Sequence, residues 1–249
     1  MSKPKTGLLV ESLELPETES SNDMWRGMAH VFVKAQKTTG RRLILHEYLA
    51  ARLANYLGLP VPFGEISSIP EGREAWVSGI TSRDGKVLPP TTYESMLENE
   101  RYVLCGVIAF DQWIFNGDRH EDNFVWSEDI GLWAIDHELA FCGDRDGDEC
   151  IDWLKECSTL PLNMSHLARK GITDEDLDDW SSRIRLHGVK YAERAIISAR
   201  KRGLLSLATA KAYANFLRIR SANIRSLTKE ALKGNTGSIS PVSGMDQLF

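Results

Sequence analysis

The sequence predicts an α+β chain in two unequal parts, a small β-rich one followed by a larger helical one. Three observations carry this. Before residue 80, short apolar stretches at 7–13, 29–35, 64–69 and 73–80 are separated by turn-forming residues, the mark of strands. After Tyr93 the period lengthens, and residues 93–115, 159–170, 174–186, 188–202 and 206–231 read as helices. One hairpin-like segment, 124–135, interrupts the helical part. A chain of 249 residues, 42% of them hydrophobic, is long enough for one large domain or for two lobes sharing a cleft.

Composition removes several function classes. The charged fraction is 26% and the mean hydropathy is -0.28, and no apolar run approaches the roughly 18 residues of a membrane span. Between the start, Met-Ser-Lys-Pro-Lys-Thr, and Glu11 stands only Gly-Leu-Leu-Val, too short for a signal-peptide core. Cys105, Cys142, Cys150 and Cys157 match no zinc spacing and are too few for a disulfide framework, so a reducing cytoplasm is expected. A net charge of -5 and a pI near 5.7 leave no general footprint for direct nucleic-acid binding. Charge is nevertheless uneven: residues 200–233 hold nine Lys or Arg against one acid, Glu230. Such a run is either a solvated helix face or a docking surface for an acidic partner.

Taken in order, residues 14–27 lose their hydrophobicity and read as a loop. In the strand that follows, Val31 and Val33 alternate with Phe32 and Lys34, so Lys34 shares a face with Phe32. A lysine there is ordinarily a snorkelling side chain. The next helix, 42–57, carries Leu45, Leu49, Leu53 and Leu57 as a packing stripe, while Glu47, Ala50 and Ala54 form a face of small residues. If that face meets the strand, Lys34 and Glu47 pair. Residues 64–69 and 73–80 form a hairpin around Pro70-Glu71-Gly72, and 81–93 is a linker rich in Gly, Pro and Thr. The helix 93–115 is apolar on most sides, as a buried helix is, and Asn116-Gly117 ends it with types that tolerate a left-handed cap. Residues 143–149, Gly-Asp-Arg-Asp-Gly-Asp-Glu, lack EF-hand spacing and are expected as a mobile loop. Thr173 is placed as an N-cap before a run of acids.

Residues 116–141 carry the candidate chemistry. A polar loop with Asp118, His120 and Asn123 enters an apolar strand (Phe124, Val125, Trp126), turns at 127–131 and returns through 132–135 to deliver Asp136. A ribbon with a tight turn brings its outer ends together, so Asn123 and Asp136 stand side by side. Both offer the hard oxygen ligands that suit Mg²⁺. Asp118 is placed to accept or orient a hydroxyl proton, and His120 to add a donor to developing charge. That division of labour is what phosphoryl transfer needs, because its catalysis is mostly positioning and charge neutralisation. Asp, Asn and Gly are also ordinary turn formers, and the order of the residues is what favours the chemical reading.

Asp118-Arg119-His120-x-x-Asn123 followed by Trp133-Ala134-Ile135-Asp136-His137 resembles the catalytic and metal-binding segments of the HipA-like kinases and, more remotely, those of the phosphatidylinositol 3- and 4-kinases. Residues 45–62, ending in Gly-Leu-Pro-Val-Pro, resemble the family segment that follows the strand lysine. The likeness spans residues 28–62 and 105–141, and the helical remainder only in outline. It implies a protein-kinase-like, two-lobed α+β fold with a β-rich N-lobe in residues 1–80, a helical C-lobe in 81–232 and a disordered tail over 233–249. ATP and Mg²⁺ are the implied cofactors. By position, Asp118 becomes the catalytic aspartate, with His120 supporting the transferring phosphate. Asn123 and Asp136 become the magnesium ligands, and Lys34, paired with Glu47, the phosphate-contacting lysine. Val77, Ser78, Gly79 and Ile80 fall where such a fold has its hinge, whose backbone meets adenine.

Family members phosphorylate protein Ser or Thr and often act as toxins paired with a DNA-binding antitoxin. A protein substrate and an antitoxin-type partner are therefore expectations for this chain. It shows no counterpart to the extra N-terminal region of the larger toxins, so toxin activity does not follow. No Gly-rich loop precedes Lys34; only Gly27 lies there. Ser20 and Ser21 are candidates for the autophosphorylated serine known in that region. The competing readings are a kinase acting on a small molecule or lipid and a nucleotide-binding interaction module without turnover, since fold alone does not choose the acceptor.

Overall fold

The computed structural model describes residues 10–14, 26–29, 31–35, 42–70, 72–79, 82–83, 86–87, 91–127, 131–164 and 172–233. Ser20, Ser21, Ile80 and the expected tail from 234 lie outside these residues. The chain opens with an antiparallel pair, β1 (Val10–Glu14) and β2 (Arg26–Ala29), whose register shifts between Val10 and Ser12. The expected loop 14–27 thus closes into a strand at Arg26. The predicted strand 29–35 begins two residues late as β3 (Val31–Ala35), which pairs with β5 (Glu74–Gly79) in a three-stranded antiparallel sheet of order β3-β5-β4, where β4 is Gly64–Ser68. This register sets Lys34 opposite Trp76 and Phe32 opposite Ser78.

Between β3 and β4 runs α1 (Leu43–Leu57). The leucine stripe and the Glu47, Ala50 and Ala54 face are both buried, because α1 packs on β4 and β5 on one side and on a long C-terminal helix on the other. At its end Gly58 takes φ 80°, with its N–H returned to Asn55 and Ala54 carbonyls, the left-handed cap that glycine enters at no steric cost. The linker expected at 81–93 contains a further two-residue pair, β6 (Ser82–Arg83) with β7 (Lys86–Val87).

The helical part starts with α2 (Tyr93–Ile114), capped by the Thr92 hydroxyl, which accepts from Ser95 N–H at 3.3 Å. Its left-handed terminal residue is Phe115 (φ 57°), not the expected Asn116-Gly117. The ring is fully buried, with Arg220 stacked over it and Trp153 at its edge, and that packing offsets the roughly 1–2 kcal/mol that a side chain costs in this conformation. After the polar loop, β8 (Phe124–Ser127) and β9 (Gly131–Ala134) form the expected hairpin, with Phe124 opposite Ala134.

The acidic run after Phe141 is not one continuous loop. α3 (Gly147–Glu156) begins inside it, with the Asp146 carboxylate accepting from Gly147 N–H and Asp148 and Glu149 in the first turn, where acids complement the helix dipole. Residues 157–159 form a single 3₁₀ turn and 160–164 are irregular apart from an isolated bridge at Leu162, so the described part of the helix expected over 159–170 is not α-helical. The two helices expected from 174 to 202 are one, α4 (Asp174–Lys201), capped by Thr173 as predicted. Gly188 does not break it. A Cβ there would lie 2.9 Å from Trp113 and 3.0 Å from Ser221, so glycine serves close packing.

The last helix is α5 (Leu207–Lys233). The basic run that it carries is partly spent inside the molecule: Arg220 is buried and donates to the carbonyls of Gln112, Cys157 and Leu160, while Arg225 and Lys229 pair with Asp178 of α4. No described helix is long and apolar enough to cross a membrane.

Candidate active site

The site lies between the sheet and the β8–β9 hairpin, in a cleft lined by Phe32, Lys34, Glu47, Ser78, Gly79, Val125, Ile135, Asp136 and His137. Phe32, Val33 and Lys34 of β3 all line the cleft. Lys34 Nζ is 2.6 Å from Glu47 Oε1, 2.8 Å from Asp136 Oδ1 and 3.6 Å from Glu138 Oε2. Sheet, first helix and hairpin thus converge on one ammonium. Burial works against that charge, yet the Glu47 and Asp136 carboxylates outweigh it and hold the Lys34 pKa above its ordinary value. Glu47 is the mirror case: burial raises its pKa, but His137 and Lys34 prevail and bring it down to about 2.

The hairpin brings Asn123 beside the residue that precedes Asp136. Ile135 N–H donates to the Asn123 carbonyl at 3.0 Å, and Asp136 follows with φ 60°. Asn123 Nδ2 donates to the Asp118 carbonyl at 2.7 Å and to His120 Nε2 at 3.2 Å. The polar loop is therefore folded over its own asparagine. Burial raises the Asp118 pKa above its ordinary value, Asp136 adding to the rise and His120 and Arg119 opposing it.

Of the residues placed at the hinge, Ser78 and Gly79 line the cleft. Val77 does not; it pairs with Val33 on one side and Glu65 on the other.

The donor set fits a divalent cation. Glu47, Asp136 and Glu138 bring carboxylate oxygens within 4.8 Å of one another, and the one ammonium among them leaves an excess of two negative charges. Asp136 Oδ1 is buried and makes no hydrogen bond of good geometry, its close approach to Lys34 being an ion pair only. Tying the Asn123 amide nitrogen to the loop leaves its oxygen as the amide's acceptor. Hard oxygens with unbalanced negative charge are what Mg²⁺ selects.

Sequence reasoning passed over Arg119, His137, Glu138 and Asp111. Arg119, 2% exposed, holds the Asp111 carboxylate bidentately and reaches the hairpin with its remaining donors. The available signal was Asp111 itself, a carboxylate in an otherwise apolar stretch of helix, eight residues before an arginine.

The profile of the HipA-like kinase family matches residues 27–153. Among solved structures, the Helicobacter pylori proinflammatory kinase CtkA superposes with a TM-score of 0.60 at 16% identity, covering 82% of this chain and 90% of that one. HipA of Shewanella oneidensis MR-1, solved with HipB and operator DNA, gives 0.49 at 14% identity, covering 93% of this chain and 67% of that one. No curated protein sequence matches the chain.

Proposed function

The chain belongs to the HipA-like kinase family, and from that premise we propose that it transfers the γ-phosphoryl group of ATP, with Mg²⁺, to a serine or threonine hydroxyl of a protein. In this reading residues 1–80 form the nucleotide lobe and residues 81–232 the catalytic lobe. The observation that carries it is the convergence on Lys34: a strand lysine held by a helix glutamate at 2.6 Å and facing, at 2.8 Å, the aspartate that ends the hairpin.

Asn123 and Asp136 would hold the metal, with Glu138 beside them. Bound there, Mg²⁺ would supply positive charge against the phosphates. Lys34 supplies a fixed positive charge to the same phosphates, and Glu47 keeps its ammonium in place. Phe32, Val125 and Ile135 offer apolar surface to the base, and the backbone of Ser78 and Gly79 lies at the cleft edge. Asp118 takes the acceptor's hydroxyl proton as its oxygen bonds to the γ-phosphorus and the bond to the ADP oxygen breaks. His120, exposed beside it with Nε2 accepting from Asn123, steadies the loop and presents its other face to the phosphoryl oxygens.

The test is label transfer from [γ-³²P]ATP with Mg²⁺ by the wild-type protein, Asp118→Ala and Asp136→Ala, with protein and small-molecule fractions of cell extract as separate acceptors. Label on a protein band that is lost in both variants is the expected result. Label confined to the small-molecule fraction overturns the protein-acceptor reading, and the absence of transfer to either fraction overturns the kinase reading of this chain.

A further inference from the structure

Among the described residues Arg119 is densely hydrogen-bonded, and it does not line the open cleft. We propose that it is a positioning residue that sets the separation of Asn123 and Asp136 and, through His137, links that separation to the Lys34–Glu47 pair. The proposal rests on the phosphotransferase reading above and adds to it the residue that builds the metal site.

A guanidinium has five N–H donors in a rigid plane and no acceptor. In Arg119 they are spent in three directions. Nε and Nη2 hold the Asp111 carboxylate at 2.8 and 3.2 Å. Asp111, fully buried, is anchored on α2 and also accepts from Asn116 Nδ2 at 3.0 Å. Nη1 donates to two main-chain carbonyls, Asn123 O at 3.0 Å and Ile135 O at 2.7 Å. One is the carbonyl of the asparagine ligand, and the other belongs to the residue just before the aspartate ligand. A single planar nitrogen therefore braces both strands of the hairpin at the end where the ligands emerge.

The third direction leads to the nucleotide side. Nη2 also meets His137 Nε2 at 2.9 Å. Since the guanidinium only donates, Nε2 must accept, which leaves the imidazole proton on Nδ1. That nitrogen lies 3.9 Å from Glu47 Oε2, and His137 N–H points at Glu47 Oε1 at 3.4 Å. Glu47 in turn holds Lys34. The path from α2 to β3 thus runs Asp111, Arg119, His137, Glu47, Lys34, each step between charged or directional groups. A lysine at 119 places one ammonium where the fork now serves Asp111, the two carbonyls and His137 together, so it keeps the charge and loses the geometry.

A merely structural ion pair would affect folding and leave metal and nucleotide binding changed in equal proportion. The deciding measurements are Mn²⁺ binding by electron paramagnetic resonance in the presence of a non-hydrolysable ATP analogue, and analogue binding alone by calorimetry, on proteins shown folded by circular dichroism. Folded Arg119→Lys is expected to lose about 10- to 100-fold in Mn²⁺ affinity, the range for groups supporting a metal's ligands, with a much smaller change for the analogue alone. His137→Gln, which retains an acceptor near the Nε2 position, should keep Mn²⁺ affinity closer to wild type than His137→Asn, which retains only a donor near Nδ1. Wild-type Mn²⁺ affinity in Arg119→Lys, or equal proportional losses of metal and analogue, overturns the proposal. Should Arg119→Lys fail to fold, equal Mn²⁺ affinities in the two His137 variants overturn it. Absence of both Mn²⁺ and analogue binding in the wild type sinks the phosphotransferase reading and this inference with it, whereas binding that the variants leave unchanged sinks this inference alone.

Discussion

Lys34 and Glu47 meet at 2.6 Å although one stands on an edge strand of the sheet and the other on α1, the helix that packs on β4 and β5. In Glu47→Gln the amide keeps a contact but removes the charge that holds the ammonium in the cleft, where the proposed reading puts the ATP phosphates. The expected outcome is a rise of about 10-fold in the KM for ATP, roughly 1.4 kcal/mol, with a folded protein whose circular dichroism is unchanged. An unaltered KM in the steady-state assay would show that Asp136 alone suffices to place Lys34.

Asp136→Asn should act on metal dependence more than on nucleotide affinity. The amide preserves shape and removes one of the negative charges that exceed the single ammonium. Phosphotransfer at saturating ATP is expected to fall by on the order of 10²-fold or more, as when a group that stabilises developing charge is removed. The measurement is a Mg²⁺ titration of the rate, and equal Mg²⁺ requirements for variant and wild type would contradict the assignment.

His46 gives a prediction about acid stability. It is fully buried, with Nδ1 against the Glu138 carbonyl at 2.8 Å and Nε2 accepting from the Tyr213 hydroxyl at 2.8 Å. Burial, with the Arg42 guanidinium nearby, brings its pKa down to about 4 from an ordinary 6.5. A depressed pKa means that the neutral ring is favoured by folding. The stability it contributes is complete above pH 6.5 and is lost as pH falls towards about 4, a change on the order of 3 kcal/mol. Denaturant unfolding across that window should show a steeper loss in the wild type than in His46→Gln; parallel curves would refute the attribution.

Gly106→Ala tests packing where α2 meets α4. A Cβ would stand 2.6 Å from the Trp180 ring and 2.7 Å from Leu59 Cδ2. Helix propensity favours alanine by about 1 kcal/mol, and overpacking costs about 1–3 kcal/mol. Contacts this short in a buried position put the second term ahead, so a net destabilisation of about 1–2 kcal/mol is expected. Thermal unfolding of the variant checks the sign.

The candidate site was largely legible because its parts are local in sequence. The hairpin that brings Asn123 and Asp136 together is fixed by alternation and a turn within some twenty residues, and the Lys34–Glu47 contact follows from which face of α1 meets the sheet. The relay through Arg119 and His137 was not legible, since it joins α2, the polar loop and α1 only in space, and the middle of a polar loop disguises a buried arginine as a solvated one. The single helix across Gly188 was not legible for a different reason. Locally glycine disfavours helix, but α4 keeps it so that Trp113 and Ser221 can approach. The helix α3 was hidden by its own N-terminus, where Asp148 and Glu149 resemble a loop by composition and serve as favourable first-turn charges.

Among the described residues, the non-glycine residues with left-handed backbone, Phe115, Asp136 and Phe141, mark out the polar loop and its neighbourhood. The two phenylalanines are buried, Phe115 under Arg220 and Phe141 against His46 and Tyr213. Their bulk turns two soft corners into fixed ones, so the region divides into a frame and a face. Asp122 belongs to the face: it is exposed and lies 3.6 Å from His120, whereas His120, exposed as well, accepts from the buried Asn123 and so touches the frame. Libraries that vary Asp122 therefore leave the frame intact, and on the proposed kinase reading acceptor choice becomes a trait that drifts or is engineered there without reopening the proposed metal site.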